Sequence, residues 1–294
     1  MAKEVYRGNE LSQFKRLQQD ACDAAQEVAG TLEEGISEIE TARRLKAAMR
    51  ARGIRNGVHT PLVWFGDRTC MREIRRWRDF FPTDKALGHG MPVIFEVAPI
   101  RRGFSAGIAL TTGYGNNPVL RDAKRDLEEV RGRILEMVRR ECTMRQIYAE
   151  VDDLITGLGY EACHHRYPFG LLGHKMGRVP FAQLRSLLRF PFMSNLPSPS
   201  FSGLDPRGLL YFGKQALQSR ISSMQAQRPI WNGDVRCDMP AEPGLWAMEP
   251  HIARNGTGAK WKELLVVTET GAYWLDENVP HVRSWRNGGR MVVA

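Results

Sequence analysis

Trp246-Ala247-Met248-Glu249-Pro250-His251 is the stretch whose reading decides the fold, because three other segments are read together with it. Upstream stands Gly173-His174-Lys175-Met176-Gly177, and downstream Glu263-Leu264-Leu265-Val266-Val267-Thr268-Glu269-Thr270-Gly271. The fourth, Val93-Ile94-Phe95-Glu96-Val97-Ala98-Pro99, runs through Arg101-Arg102-Gly103 to Phe104-Ser105-Ala106-Gly107. Apolar runs bounded by turn residues are the mark of strands. Leu245 to His251 therefore reads as a strand, as does Val58 to Phe65. Leu264 to Thr268 and Ala272 to Leu275 read as a hairpin turning at Glu269-Thr270-Gly271. Pro92 to Pro99 and Phe104 to Thr112 read as another, turning at Arg101-Arg102-Gly103.

The segments between these strands are helical and appear twice. Ser37 with Glu40 forms a capping box, Leu45 and Met49 continue an apolar stripe, and Gly53 stands where a C-terminal cap belongs. Thr143 with Gln146, Val151 with Ile155, and Gly159 repeat that plan. Longer helical segments precede each, at Leu11 to Ala29 and Leu120 to Glu141, so a helical hairpin recurs about a hundred residues on. Helical hairpins on one face of a mostly antiparallel sheet make an α+β fold.

Composition narrows the class. A chain of 294 residues with 43% hydrophobic and 26% charged residues is an ordinary folded protein, not a disordered one. The start of the chain lacks the apolar run of a secretory signal, and no stretch approaches the ~18 apolar residues needed to cross a bilayer. A soluble, cytoplasmic protein is the expectation. Cys22, Cys70, Cys142, Cys163 and Cys237 are odd in number and lack C-x-x-C spacing, so a disulfide framework or zinc knuckle is not expected. The net charge of +9 comes in short clusters such as Arg75-Arg76-Trp77-Arg78, without a nucleic-acid motif, and nucleic acid is not expected as a partner.

In order and spacing, the four quoted segments resemble the metal-site segments of the pita-bread family, which includes methionine aminopeptidase, prolidase and creatinase. The resemblance covers roughly residues 36 to 275. It implies one domain over 1–294 with two pseudo-twofold halves, about 10–115 and 116–294. An insertion would lie around 181–243, within which 194–203 reads as a loop and 209–227 as a helix. It also implies a homodimer. In the family two aspartates, one histidine and two glutamates hold a pair of divalent ions, hard oxygen donors compensating the charge of the metals. Here the first aspartate position falls on Glu96, the second on Ala106 or Gly107, the histidine on His174, the first glutamate on Glu249 and the last ligand on Lys262. Glu263 is adjacent, but neighbouring strand residues point to opposite faces, so it reaches the site only through a bulge or register slip. The family's substrate-facing histidine would fall near 79–81, where none stands. Its second histidine aligns near Phe181.

With two of five ligands replaced, no metal and no cofactor are expected, and Lys262 is expected within salt-bridge reach of Glu96 or Glu249. The favoured reading is a divergent, metal-free enzyme acting on a small polar, anionic or amide-bearing substrate by hydrolase-like C–N bond chemistry, not a general peptidase. His174 would be its acid/base, with Glu96, Glu249 and Lys262 as charged walls. Lys175, His251, Arg101, Arg102 and Phe181 would contact the substrate. One alternative is a non-catalytic binding or interaction protein on the same scaffold; another is an atypical metal-dependent aminopeptidase or Xaa-Pro peptidase, its metal rescued by Glu263 or His251. His164 and His165 read as surface or packed residues, and no Gly-x-Ser-x-Gly elbow signals a serine nucleophile.

Overall fold

The computed structural model describes residues 6–179 and 230–288. Phe181, the loop expected at 194–203 and the helix expected at 209–227 lie outside the described residues.

Helix α1 (Gly8–Ala29) buries Phe14, Leu17, Ala21, Ala24, Ala25 and Val28, a stripe at three- and four-residue spacing. The stripe packs on α2 (Glu38–Ala51), whose N-cap Ser37 accepts from the Glu40 amide at 3.1 Å. Glu40 does not return the bond to Ser37. Its carboxylate instead takes Arg43 and Arg44, so the expected box is half formed. In the second half α3 (Pro118–Arg139) buries Leu120, Leu127, Val130 and Ile134 and packs on α4 (Met144–Gly157). There the Thr143–Gln146 box is complete. Gly53 and Gly159 follow the two short helices at φ +74° and +80°, left-handed positions that glycine adopts without the usual Cβ penalty.

Among the described residues, four small sheets, all antiparallel, carry the rest. In the first half β2 (Leu62–Phe65), β3 (Met91–Val97) and β6 (Ile108–Tyr114) pair in that order. Beside them β1 (Asn56–Gly57), β4 (Pro99–Arg101) and β5 (Phe104–Ser105) form a second sheet, with the turn at Arg102-Gly103. The expected hairpin is thus interrupted at Ala98, and its outer part curls away as β4 and β5.

In the second half β7 (Glu161–Ala162), β11 (His251–Arg254) and β12 (Thr257–Lys260) make one sheet. The other holds β8 (Gly173–Met176), β9 (Ile230–Trp231), β10 (Gly244–Met248), β13 (Glu263–Thr268) and β14 (Gly271–Trp274), and α5 (Pro280–Arg286) follows. The strand expected from Leu245 to His251 is divided at Glu249-Pro250. No described helix is long and apolar enough to cross a membrane.

The alternation of strands β10 and β13 joins the halves. Leu245, Ala247, Leu264 and Val266 enter the core under α1 and α2, while Trp246, Met248, Leu265 and Val267 enter the core under α3 and α4. Gln18 of α1 accepts the Leu264 amide at 2.9 Å, and an isolated bridge from Ala109 to Lys262 ties β6 to the chain entering β13. These ties bring the residues of the first hairpin against those of the second.

Candidate functional site

Glu96 lies next to the end of β3, opposite Ala109 of β6, and Ala109 in turn bridges Lys262. This register sets Glu96 and Lys262 across neighbouring strands. Glu249 leaves the end of β10 with its amide held by the Leu172 carbonyl at 2.8 Å, and His174 sits opposite Ala247 on β8. Lys260 ends β12, paired with His251.

The result is a cluster of two carboxylates and two ammonium groups. Lys260 Nζ donates to Glu96 Oε2 at 2.6 Å, to the Tyr167 hydroxyl at 2.8 Å and to Glu249 Oε2 at 3.1 Å. All three of its protons are used. Lys262 Nζ lies 3.4 Å from Glu96 Oε1 and 3.0 Å from Glu249 Oε1, although the second contact is poorly angled and leaves Oε1 without a proper hydrogen bond. His174 Nε2 approaches the same Oε1 at 3.7 Å, from a position still about a quarter exposed.

The four charges are buried and sum to zero. Burial alone would push the Glu96 carboxyl up, but Lys260 and then Lys262 hold it well below the usual carboxylate range. Glu249 is lowered in the same way, by Lys262 and then Lys260. Burial would also lower the Lys260 ammonium, and Glu96 and Glu249 more than reverse this, raising it above the ordinary lysine value.

Behind Lys260 the protons can be placed. His251 Nε2 faces the Thr69 carbonyl at 2.7 Å, and a carbonyl only accepts, so Nε2 carries hydrogen. Burial and then Lys260 drive the His251 pKa far down, so the ring is neutral and its Nδ1 accepts from the Tyr167 hydroxyl at 2.9 Å. The Tyr167 oxygen is then left to accept from Lys260. His251 is therefore sealed in as the support of Tyr167, and does not line a substrate surface as expected.

Gly107 stands beside Lys262. A Cβ built there would come 2.6 Å from Lys262 Cε and 3.5 Å from Nζ, so the lysine fills the room a side chain at this position would need.

Other expected site residues go elsewhere. Lys175 points to the opposite strand face from His174 and pairs with Glu242 at 2.7 Å, its ammonium over Trp246. Arg101 bonds Asp20 and, with Arg102, lines a separate groove of about 590 Å³ that also includes Arg16, Arg52 and Arg55. Glu263 is buried on the far face of its strand, bound by Arg131 at 2.5 Å and His281 at 3.0 Å, and cannot supply the ligand that Lys262 lacks. Phe181 is outside the described residues.

Sequence reasoning missed Lys260, Tyr167 and His59. Lys260 carried a signal, since it stands two residues before Lys262 and shares its face by the period of a strand. His59 carried none. Its Nδ1 bonds the Thr60 carbonyl at 2.7 Å; burial lowers its pKa, opposed most by Glu96, so it borders the cluster from the loop before β2.

Comparison with known proteins fits this architecture. The search of curated proteins returned no match. Among solved structures, the X-Pro aminopeptidase from Thermotoga maritima superposes with a TM-score of 0.63 at 16% identity, over 92% of this chain and 62% of that one. The prolidase from Pyrococcus horikoshii gives 0.61 at 14% identity over 92% and 63%. Dipeptidase PepE from Mycobacterium ulcerans gives 0.63 at 17% over 95% and 60%. The chain thus spans about three fifths of these relatives' length, and the likeness shows the pita-bread fold. The sequence pattern of Metallopeptidase family M24 matches residues 12–269, and the chain belongs to that family.

Proposed function

We propose that this chain is a divergent member of its family whose central cluster works without metal, that it acts on a small polar, anionic or amide-bearing molecule by hydrolase-like C–N bond chemistry, and that it is not a general peptidase. The charge-balanced cluster of Glu96, Glu249, Lys260 and Lys262 carries the proposal. A pair of divalent ions needs several oxygen donors free to approach it. Here Gly107 offers no donor, Lys262 offers a cation, and both carboxylates already face ammonium groups at 2.6 to 3.4 Å. This donor set does not fit two metals.

His174 is the acid/base of this reading. It stands at the edge of the cluster, open enough to meet a solute, with Glu249 Oε1 beside it at 3.7 Å. General acid–base catalysis by a positioned histidine contributes about 100- to 10,000-fold. A screen of small amides, amidines and N-substituted amino acids, read by product formation, should find a substrate whose turnover survives removal of metals by chelation. His174→Ala should abolish that turnover and leave the fold intact. Metal-dependent release of N-terminal residues from ordinary peptides would overturn the proposal.

A second reading, a non-catalytic binding protein, is favoured by the saturation of Lys260, which leaves that cation no hydrogen to give a substrate. Ligand binding with no product formed by either the parent or His174→Ala would support it. A homodimer is also proposed from the family, and light scattering at micromolar concentration tests it. The free state of all five cysteines supports a reducing, cytoplasmic setting.

A further inference from the structure

We propose that Asp152, His164 and His165 form a zinc site distinct from the central cluster. Asp152 lies on the last turns of α4, and the two histidines lie on the 3-10 turn Cys163–Arg166 that follows β7. His164 Nε2 is 2.9 Å from Asp152 Oδ1, and His165 Nε2 is 2.9 Å from Oδ2. One ligand atom from each residue lies within 4.8 Å of the other two. The imidazoles stack with centroids 5.0 Å apart, so both nitrogens face the same carboxylate from one side.

Two imidazoles and one carboxylate are a donor set for zinc, which binds nitrogen and oxygen at about 2.0 to 2.2 Å and accepts three protein ligands with water in the fourth place. Harder ions such as magnesium prefer all-oxygen sites. The supporting contacts match what zinc-binding histidines use. His165 Nδ1 meets the Tyr148 hydroxyl at 3.2 Å, which leaves Nε2 for the metal and fixes the ring. His164 is fully buried, its Nε2 turned to Asp152 and its ring also held by the His251 backbone. Access is open, since His165 is exposed and Asp152 partly so.

The position couples the two sites. Tyr167 is the residue that follows the 3-10 turn, and its hydroxyl takes one of the three Lys260 hydrogens. An ion holding His164 and His165 to α4 would fix that turn and, through it, Tyr167. The proposal does not depend on the reaction proposed above.

Equilibrium dialysis of the whole chain against zinc chloride, followed by elemental analysis, tests it. About one zinc per chain is expected, with a cobalt-substituted form showing the intense visible bands of a four-coordinate ion. Asp152→Asn and His165→Ala should each weaken uptake by more than about tenfold, and Tyr148→Phe by about tenfold, because removal of a supporting partner costs 10- to 100-fold. Near-ultraviolet circular dichroism checks that the variants fold. No zinc uptake by the folded parent, or uptake unchanged in Asp152→Asn and His165→Ala, overturns the proposal. Zinc lost in Glu249→Gln but kept in both those variants would place it in the central cluster, and would overturn the metal-free reading as well.

Discussion

Lys262 occupies the space beside Gly107: its Cε stands 2.6 Å from where a Cβ on that glycine would be. Position 107 is not a left-handed backbone site, so glycine there answers to room and not to torsion. Lys262 cannot retreat cheaply, since its ammonium is held between Glu96 and Glu249. Gly107→Ala should therefore destabilise the fold by about 1 to 3 kcal/mol, the usual cost of overpacking, as read by urea unfolding. An unchanged midpoint would show that the lysine moves aside. Gly107→Asp with Lys262→Glu adds two carboxylates but leaves Lys260 between Glu96 and Glu249. Manganese uptake at the cluster is expected only when Lys260→Ala is added.

Lys260 should matter more to stability than Lys262. It is the more deeply buried of the two and has three partners at hydrogen-bond distance. Breaking a buried ion pair from one side costs about 3 to 5 kcal/mol, so Lys260→Met should fall in that range and Lys262→Met below it. Adding Glu96→Gln to Lys260→Met removes the charge left over, and the pair should recover about 0.5 to 3 kcal/mol of coupling. Strict additivity in urea melts would mean the two groups do not interact.

Most of the architecture was legible in the sequence because it rests on local rules. The caps at Ser37 and Thr143, the glycines at 53 and 159 and the apolar stripes between them act over a few residues. Glu96, Glu249, His174 and Lys262 were named from their segments, and the pairing of β3 with β6, of β8 and β13 with β10, and the Ala109–Lys262 bridge bring them together. What could not be read was pairing across long separations. Tyr167 meets Lys260 from 93 residues away, and only the fold makes them neighbours. Arg101, Arg102 and Lys175 were assigned to the site by charge. Which way a strand residue points depends on where the hairpin curls, and the break at Ala98 and the alternation of β8 turned all three elsewhere.

The two halves, about 10–115 and 116–294, are proposed to be structural duplicates, and their helix-ending glycines offer a matched test. A Cβ on Gly53 would meet nothing within 4 Å, and one on Gly159 only Arg254 at 3.9 Å. Substitution at either site thus reports the left-handed backbone alone, at φ +74° and +80°. Gly53→Ala and Gly159→Ala should each cost about 1 to 2 kcal/mol, and by nearly equal amounts. A large disparity in their unfolding free energies would argue that the two caps are not equivalent.

Acid and alkali should each loosen the central cluster, and the sign follows from the direction of each shift. Glu96 and Glu249 lie below their ordinary value of 4.5 in the fold. The unfolded chain therefore takes up protons first, and the carboxylates' contribution, present above that value, is lost as pH falls toward their folded values. Lys260 lies above its ordinary 10.5, so its contribution is present below that value and is lost as pH rises through the folded one. Between these limits the contribution is flat. Each titrating group changes it by at most about 1.4 kcal/mol per pH unit. The parent and the Glu96→Gln, Lys260→Met double variant should differ most in unfolding free energy between about pH 5 and pH 10, with the difference narrowing on both sides. A difference that grows in acid would mean that these carboxyl groups are protonated in the native protein, and the ion cluster would then be a network of neutral hydrogen bonds.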